Sequence, residues 1–177
     1  MRKIPTLFLR DPADMSRVTR QVHPDCQWVI DGEGRATRKY DGTCVMFDGE
    51  AWWARREVKR GKIAPPDFVQ ADHDEITGKT VGWEPVAQSS FSKAFTQAST
   101  AGLAQGTYEL VGPKINGNPE RYHEHTLIAH GITEVNVPRD YDGLATTLPL
   151  LPMEGVVWHH PDGRMTKLKG RDFPKPR

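Results

Sequence analysis

Short β-type runs separated by glycine-bearing turns dominate the hydrophobic pattern of this chain. Gln27–Ile30 is a brief apolar run that stops at the turn cluster Asp31-Gly32-Glu33-Gly34. A strand is expected to end around Ala36-Thr37-Arg38. Thr43–Phe47 is rich in β-formers and ends at Asp48-Gly49, and Trp52–Val58 then resumes, so the two predict a hairpin. Residues 61–82 hold Pro65-Pro66 and many charges and read as a loop or insertion. Apolar residues at Phe91, Ala94, Phe95, Ala98 and Ala101 predict an amphipathic helix over 91–103, with Ser89 or Ser90 as its cap. Residues 107–111 form a strand stopped by Gly112-Pro113, Asn116-Gly117-Asn118-Pro119 is a turn, and 127–129 is a short strand. A helix is expected over 141–151. Residues 156–159 and 165–168 flank Pro161-Asp162-Gly163 as a second hairpin. Many strands and about two helices indicate an α+β fold with mainly antiparallel sheets and flanking helices.

Length and charge narrow the classes. At 177 residues the chain fits one domain, residues 1–177, with a real core. Lys plus Arg (24) nearly equals Asp plus Glu (23), which argues against a protein that coats nucleic acid by bulk charge. The basic residues nevertheless cluster: Arg35, Arg38 and Lys39, then Arg55 to Lys62, then Arg164 to Arg171. Cys26 and Cys44 form neither a metal-type pair nor a disulfide framework, so a reduced intracellular setting is expected. The N-terminus lacks the apolar run of a signal peptide, and no segment approaches the roughly 20 apolar residues of a membrane helix. The expected compartment is the cytoplasm, and nothing points to an obligate protein partner.

Four segments carry chemistry. Lys39-Tyr40-Asp41-Gly42 puts an amine at a strand end beside a glycine turn. An amine attacks phosphorus only when neutral, whereas lysine is ordinarily cationic up to a pKa of about 10.4. Burial, a metal ion and neighbouring cations are the devices that deliver the neutral form. The plain alternative is a surface lysine before a turn. Glu109 lies in Thr107-Tyr108-Glu109-Leu110-Val111-Gly112, where an inward carboxylate is costly unless paired or metal-bound. Glu154 opens a strand, where its oxygens suit a hard cation such as Mg²⁺. Lys167 and Lys169 are two apart on a strand and so share a face, an arrangement that calls for an anion such as a triphosphate. Arg55 and Arg56 are candidates for a phosphate contact, and only one of them can face a cleft. The pairs His123/His125 and His159/His160 lack a metal-type spacing and read as structural.

Taken in order, Lys39-Tyr40-Asp41-Gly42, Glu109 with Gly112, Glu154-Gly155-Val156-Val157 and Lys167-Leu168-Lys169 resemble motifs I, III, IV and V of the covalent nucleotidyltransferases, the superfamily of DNA ligases, RNA ligases and mRNA capping enzymes. The surrounding residues look most like a small ATP-dependent RNA ligase family that includes the vertebrate 5′-to-3′ RNA ligase. The likeness runs from about Trp28 to Phe173. It implies a ligase-type adenylylation domain; because the chain stops at Arg177, shortly after the last motif, the OB domain of DNA ligases and capping enzymes is not expected. It implies that Lys39 attacks the α-phosphate of ATP, forms lysyl-AMP, passes AMP to an RNA 5′-phosphate and so lets a 3′-hydroxyl seal the strands. By the same resemblance Glu109 serves the ribose or a metal, Glu154 holds Mg²⁺ (or Mn²⁺), and Lys167 and Lys169 hold the α-phosphate. Backbone groups near Thr37 and Arg38 read adenine, and Asp41, Gly42 and Arg55 complete the nucleotide site. Many superfamily members carry arginine two residues after the motif I glycine. Cys44 stands there in this chain, so that contact must come from elsewhere, with Arg55 or Arg56 as candidates. The rival readings are a DNA nick ligase or GTP-using guanylyltransferase with the same lysine chemistry, and a non-catalytic nucleotide- or RNA-binding module.

Overall fold

Glycine turns cut residues 4–173, those that the computed structural model describes, into eleven strands and three short α-helices. In chain order these are β1 (Phe8–Asp11), β2 (Asp14–Val22), α1 (Gln27–Ile30), β3 (Arg35–Lys39), β4 (Thr43–Phe47), β5 (Trp52–Val58), β6 (Val69–Asp74) and β7 (Lys79–Pro85). There follow α2 (Ser92–Phe95), β8 (Gly106–Val111), β9 (Thr126–Ala129), α3 (Tyr141–Thr147), β10 (Gly155–His159) and β11 (Met165–Lys169). Every named strand pair is antiparallel, which makes the fold α+β with mainly antiparallel sheets.

Two compact units share these elements. The first is the run Asp41–His130, built on a six-stranded sheet of order β6-β7-β5-β4-β8-β9. Alternation sends Val45, Tyr108 and Leu110 to one face, where they pack with Phe95, Ala98 and Ile115. Trp52 anchors this core, its ring centroid 5.0 Å from Phe47, 5.2 Å from Phe95 and 5.5 Å from Tyr108.

The second unit joins Ile4–Tyr40 to the described residues from Gly131 onward. Its three-stranded sheet has the order β11-β10-β3, beside the β1-β2 pair. One face of this sheet carries Ala36, Val156, Trp158 and Leu168 against Trp28, Val29, Leu144, Leu148 and Phe173. Each fully buried large apolar side chain here contributes about 1.5–3 kcal/mol.

Three local expectations change. Residues 61–82 contain β6 and the start of β7 rather than a loop. β6 is an edge strand whose exposed polar residues hide the alternation, and Gly82 marks a close strand approach, since a Cβ there would lie 2.2 Å from the Val69 carbonyl oxygen. The helix expected over 91–103 is only Ser92–Phe95. Its apolar spacing is used, because Phe95 and Ala98 are both in the core, but the Thr96 hydroxyl donates to the Lys93 carbonyl at 2.9 Å and competes with continuation. Neither Ser89 nor Ser90 caps it: the Ser89 hydroxyl donates to the Val86 carbonyl at 2.7 Å. The helix expected over 141–151 is present as α3 and a 3-10 turn at Leu148–Leu150, and the Asp140 carboxylate caps α3 by accepting from Gly143 N–H at 2.8 Å.

Candidate active site

Strand register decides where the lysines go. Lys39, Gly155 and Lys169 form one cross-strand row of β3, β10 and β11, and Thr37, Val157 and Lys167 form another on the same face. The row between them, Arg38, Val156 and Leu168, belongs to the opposite face, and its two apolar members are fully buried. Burying the apolar face therefore obliges all three lysines to share the other. Gly155 leaves the middle of the Lys39–Lys169 row without a side chain. A Cβ there would lie 2.1 Å from the Leu168 carbonyl oxygen, so only glycine lets β10 and β11 run this close.

Glu154 enters this cationic surface just before β10. Its side chain is 6% exposed, with Oε2 bound to Lys39 Nζ and Oε1 to Lys169 Nζ, while an Arg171 guanidinium nitrogen lies 3.5 Å from Oε1. Burial by itself would raise the Glu154 carboxyl, but the Lys39 charge and the hydrogen bond from Lys169 outweigh it and hold the group below its ordinary range. Lys167 is pushed down to about 8, first by burial and then by the charges of Lys39 and Lys169. Three lysines around the single carboxylate of Glu154 leave this sheet face with an excess of positive charge that suits an anion.

Thr37 and Arg38 are tied into the same unit. The Thr37 hydroxyl donates to the Val157 carbonyl at 3.2 Å and meets His159 Nε2 at 3.0 Å. Arg38 N–H donates to the Thr133 carbonyl at 2.8 Å, so a base contact through that amide would have to displace this bond. The Arg38 side chain stands on the face opposite Lys39, over the Tyr40 ring at 4.6 Å, and donates to the Pro152 carbonyl at 3.2 Å.

The first unit organises Asp41, Gly42 and Glu109. Glu109 sits on β8 between β4 and β9, directly across from Cys44, and is buried. Its Oε1 accepts from Gly42 N–H at 3.0 Å and its Oε2 pairs with His130 Nε2 at 2.8 Å. Asn116 Nδ2 donates to Asp41 Oδ1 at 3.0 Å and to the Gly42 carbonyl at 2.7 Å, and Asp41 N–H donates to Glu120 Oε1 at 2.8 Å. A Cβ on Gly42 would lie 2.3 Å from the Leu110 carbonyl oxygen, which makes this glycine obligatory too.

The same sheet distinguishes Arg55 from Arg56. Ala54 pairs with Val45, and Cys44 pairs with Glu109, so the alternation puts Arg55 on the face of Glu109 and Arg56 on the opposite one. The Arg55 guanidinium lies 5.6 Å from the Trp83 ring centroid. Arg56 sits 3.8 Å from the carboxylate of Glu84, which is buried.

Among the described residues, no group of three or more His, Cys, Asp or Glu side chains could hold a metal ion by itself. Both oxygens of Glu154 are taken by lysine ammoniums, so a hard cation such as Mg²⁺ would share or displace one of these contacts to use this carboxylate. Histidines set aside in the sequence have partners within the protein: His125 Nε2 meets the Pro113 carbonyl at 2.7 Å, and His160 Nε2 meets Glu33 Oε2 at 2.6 Å. Sequence reasoning missed His130, Asn116, Glu120 and Arg171. Asn116 reads only as part of a turn and Arg171 only as part of a basic run, Glu120 and His130 belong to no motif, and only the pairing of β8 with β9 reveals His130 beside Glu109.

No family model matches the chain. A Danio rerio protein, RNA ligase 1, is 30% identical over 78 residues, which cover 38% of this chain and 24% of that protein. The chain thus matches about a quarter of that relative's length, and the match supports a relation to an RNA ligase. Among the described residues, no helix is long and apolar enough to cross a membrane.

Proposed function

We propose that the chain is a single adenylylation domain of an ATP-dependent RNA ligase that works on RNA ends in the cytoplasm. One observation carries the reading: Lys39, Lys167 and Lys169 share a sheet face around the buried Glu154, leaving positive charge in excess. A lysine beside an anion-demanding surface is what attack on a nucleotide phosphate requires. The partial likeness to an RNA ligase supports RNA as the polynucleotide.

Lys39 first gives one proton to solvent; the neutral Nζ then forms a bond to the α-phosphorus of ATP, the bond to the β-phosphate oxygen breaks, pyrophosphate departs and the nitrogen gives up a second proton to solvent. An oxygen of an RNA 5′-phosphate then bonds to that phosphorus, and the P–N bond breaks as the amine regains a proton. Finally a 3′-hydroxyl oxygen bonds to the 5′-phosphorus, AMP leaves and the hydroxyl proton is lost. In such transfers the protein mostly positions groups and neutralises charge. Glu154 orients the Lys39 amine through its hydrogen bond, and Lys167 and Lys169 offset charge on the phosphates. Mg²⁺ or Mn²⁺, when bound with Glu154 among its ligands, would supply further charge neutralisation. Glu109 serves the ribose or metal, Asp41 and Gly42 support it, and Arg55 supplies the contact that Cys44 cannot.

The test is to incubate the protein with α-labelled ATP and Mg²⁺, denature it and ask whether label stays attached. Label is expected on the wild type and absent from Lys39→Ala. Label retained by that variant would assign the nucleophile elsewhere. Offering GTP, and RNA or DNA ends, distinguishes the ligase from a guanylyltransferase or a DNA nick ligase.

A further inference from the structure

We propose that His130 is a positioning residue that fixes the Glu109 carboxylate, an inference that rests on Glu109 serving the ribose or metal as read above. His130 follows β9, and its backbone N–H donates to the Thr107 carbonyl at 3.1 Å, continuing the β8–β9 ladder by one residue. Thr107 and Glu109 are two apart on β8 and share a face. The imidazole bridges them, with Nδ1 3.0 Å from Thr107 Oγ1 and Nε2 2.8 Å from Glu109 Oε2.

The hydrogen-bond network assigns the tautomer. A carboxylate only accepts, so Nε2 carries the hydrogen, and in the neutral ring Nδ1 then accepts from the Thr107 hydroxyl. Gly42 N–H takes the other oxygen of Glu109. Donors on both oxygens fix the plane of the carboxylate and occupy two of its roughly four acceptor sites, which leaves the rest at set directions for a ligand. Thr107 in turn sets the ring orientation, a relay in which one partner orients the group that orients the ligand contact. His130 is 28% exposed on its side chain and lies outside the apolar core, so packing does not account for it.

The proposal has a direct readout. Nitrogen-detected NMR of the full chain should show His130 as the Nε2–H tautomer, altered in Thr107→Val. A ring with its hydrogen on Nδ1, or one exchanging freely between tautomers, would overturn the proposal whatever the enzyme does. In the adenylylation assay His130→Leu should lower the rate by about 10- to 100-fold, the usual size for loss of a group that orients a ligand contact. His130→Gln, whose amide can still donate to Glu109, should recover most of it, and this variant decides the matter if the leucine form does not fold. In a Glu109→Gln background, His130→Leu should have no further effect. Equal damage by leucine and glutamine, or losses that multiply in the double variant, would refute the positioning role. Absence of any wild-type adduct would instead defeat the ligase reading and leave the tautomer measurement to judge His130.

Discussion

With its ammonium buried beside Lys39 and Lys169, Lys167 titrates near pH 8 instead of 10.5. Between those values the unfolded chain holds a proton that the folded chain lacks, so this residue makes stability rise with pH across that window. Lys167→Met removes that rise and melts higher than wild type at neutral pH, which thermal scans from pH 7 to about 10.5 check. A melting profile that keeps its slope in the variant would contradict the account. An anion that satisfies the cluster draws the proton back onto Lys167. Binding of ATP or pyrophosphate is therefore expected to take up protons at pH 8 and above and to weaken as pH rises past about 8. Calorimetry in two buffers of different ionisation heat measures that uptake, and none is expected for Lys167→Met. The same variant should slow adenylylation while keeping the fold.

At the scale of the element, a slip of β11 by one residue would exchange Thr166 and Leu168 for Lys167 and Lys169, driving charge into the core. Gly155 guards that register. Gly155→Ala should cost about 1–3 kcal/mol by overpacking against Leu168, with the loss read by denaturant unfolding. The six-stranded sheet makes a paired prediction: Arg55→Ala weakens ligation without lowering stability much, and Arg56→Ala does the reverse because it strips the cation from buried Glu84. Equal effects of the two on ligation would contradict the assignment of faces. The hairpins around Asp48-Gly49 and Pro161-Asp162-Gly163 were legible in the sequence because turn residues and β-formers agree there. β6 and the first turns of the chain were not, since edge strands such as Val69–Asp74 expose alternate polar residues and β1 and β2 lack a clean period. The lysine pair two residues apart was legible for a different reason, because period 2 alone puts Lys167 and Lys169 on one side.

For the molecule as a whole, a net charge of +1 means that the RNA binding proposed above would rest on local clusters and not on bulk attraction. For single strands each phosphate contact contributes about −0.7 to the slope of log affinity against log salt, so a few contacts predict a loss on the order of tenfold between about 50 and 200 mM salt. Filter binding over that range checks it, and a drop of ~10³ or more would indicate a broad basic coat instead. The sequence made the candidate positions visible through motif order, but not the groups hydrogen-bonded to them, because the contacts of His130, Asn116 and Glu120 depend on chain segments far apart in sequence. Cys44, directly across from Glu109, has a practical use. Of the two thiols, Cys26 is fully covered and its ionisation is suppressed, first by burial, whereas Cys44 is only partly covered. A maleimide should therefore alkylate one position per chain, and its rate becomes an optical gauge of whatever occupies the neighbourhood of that carboxylate.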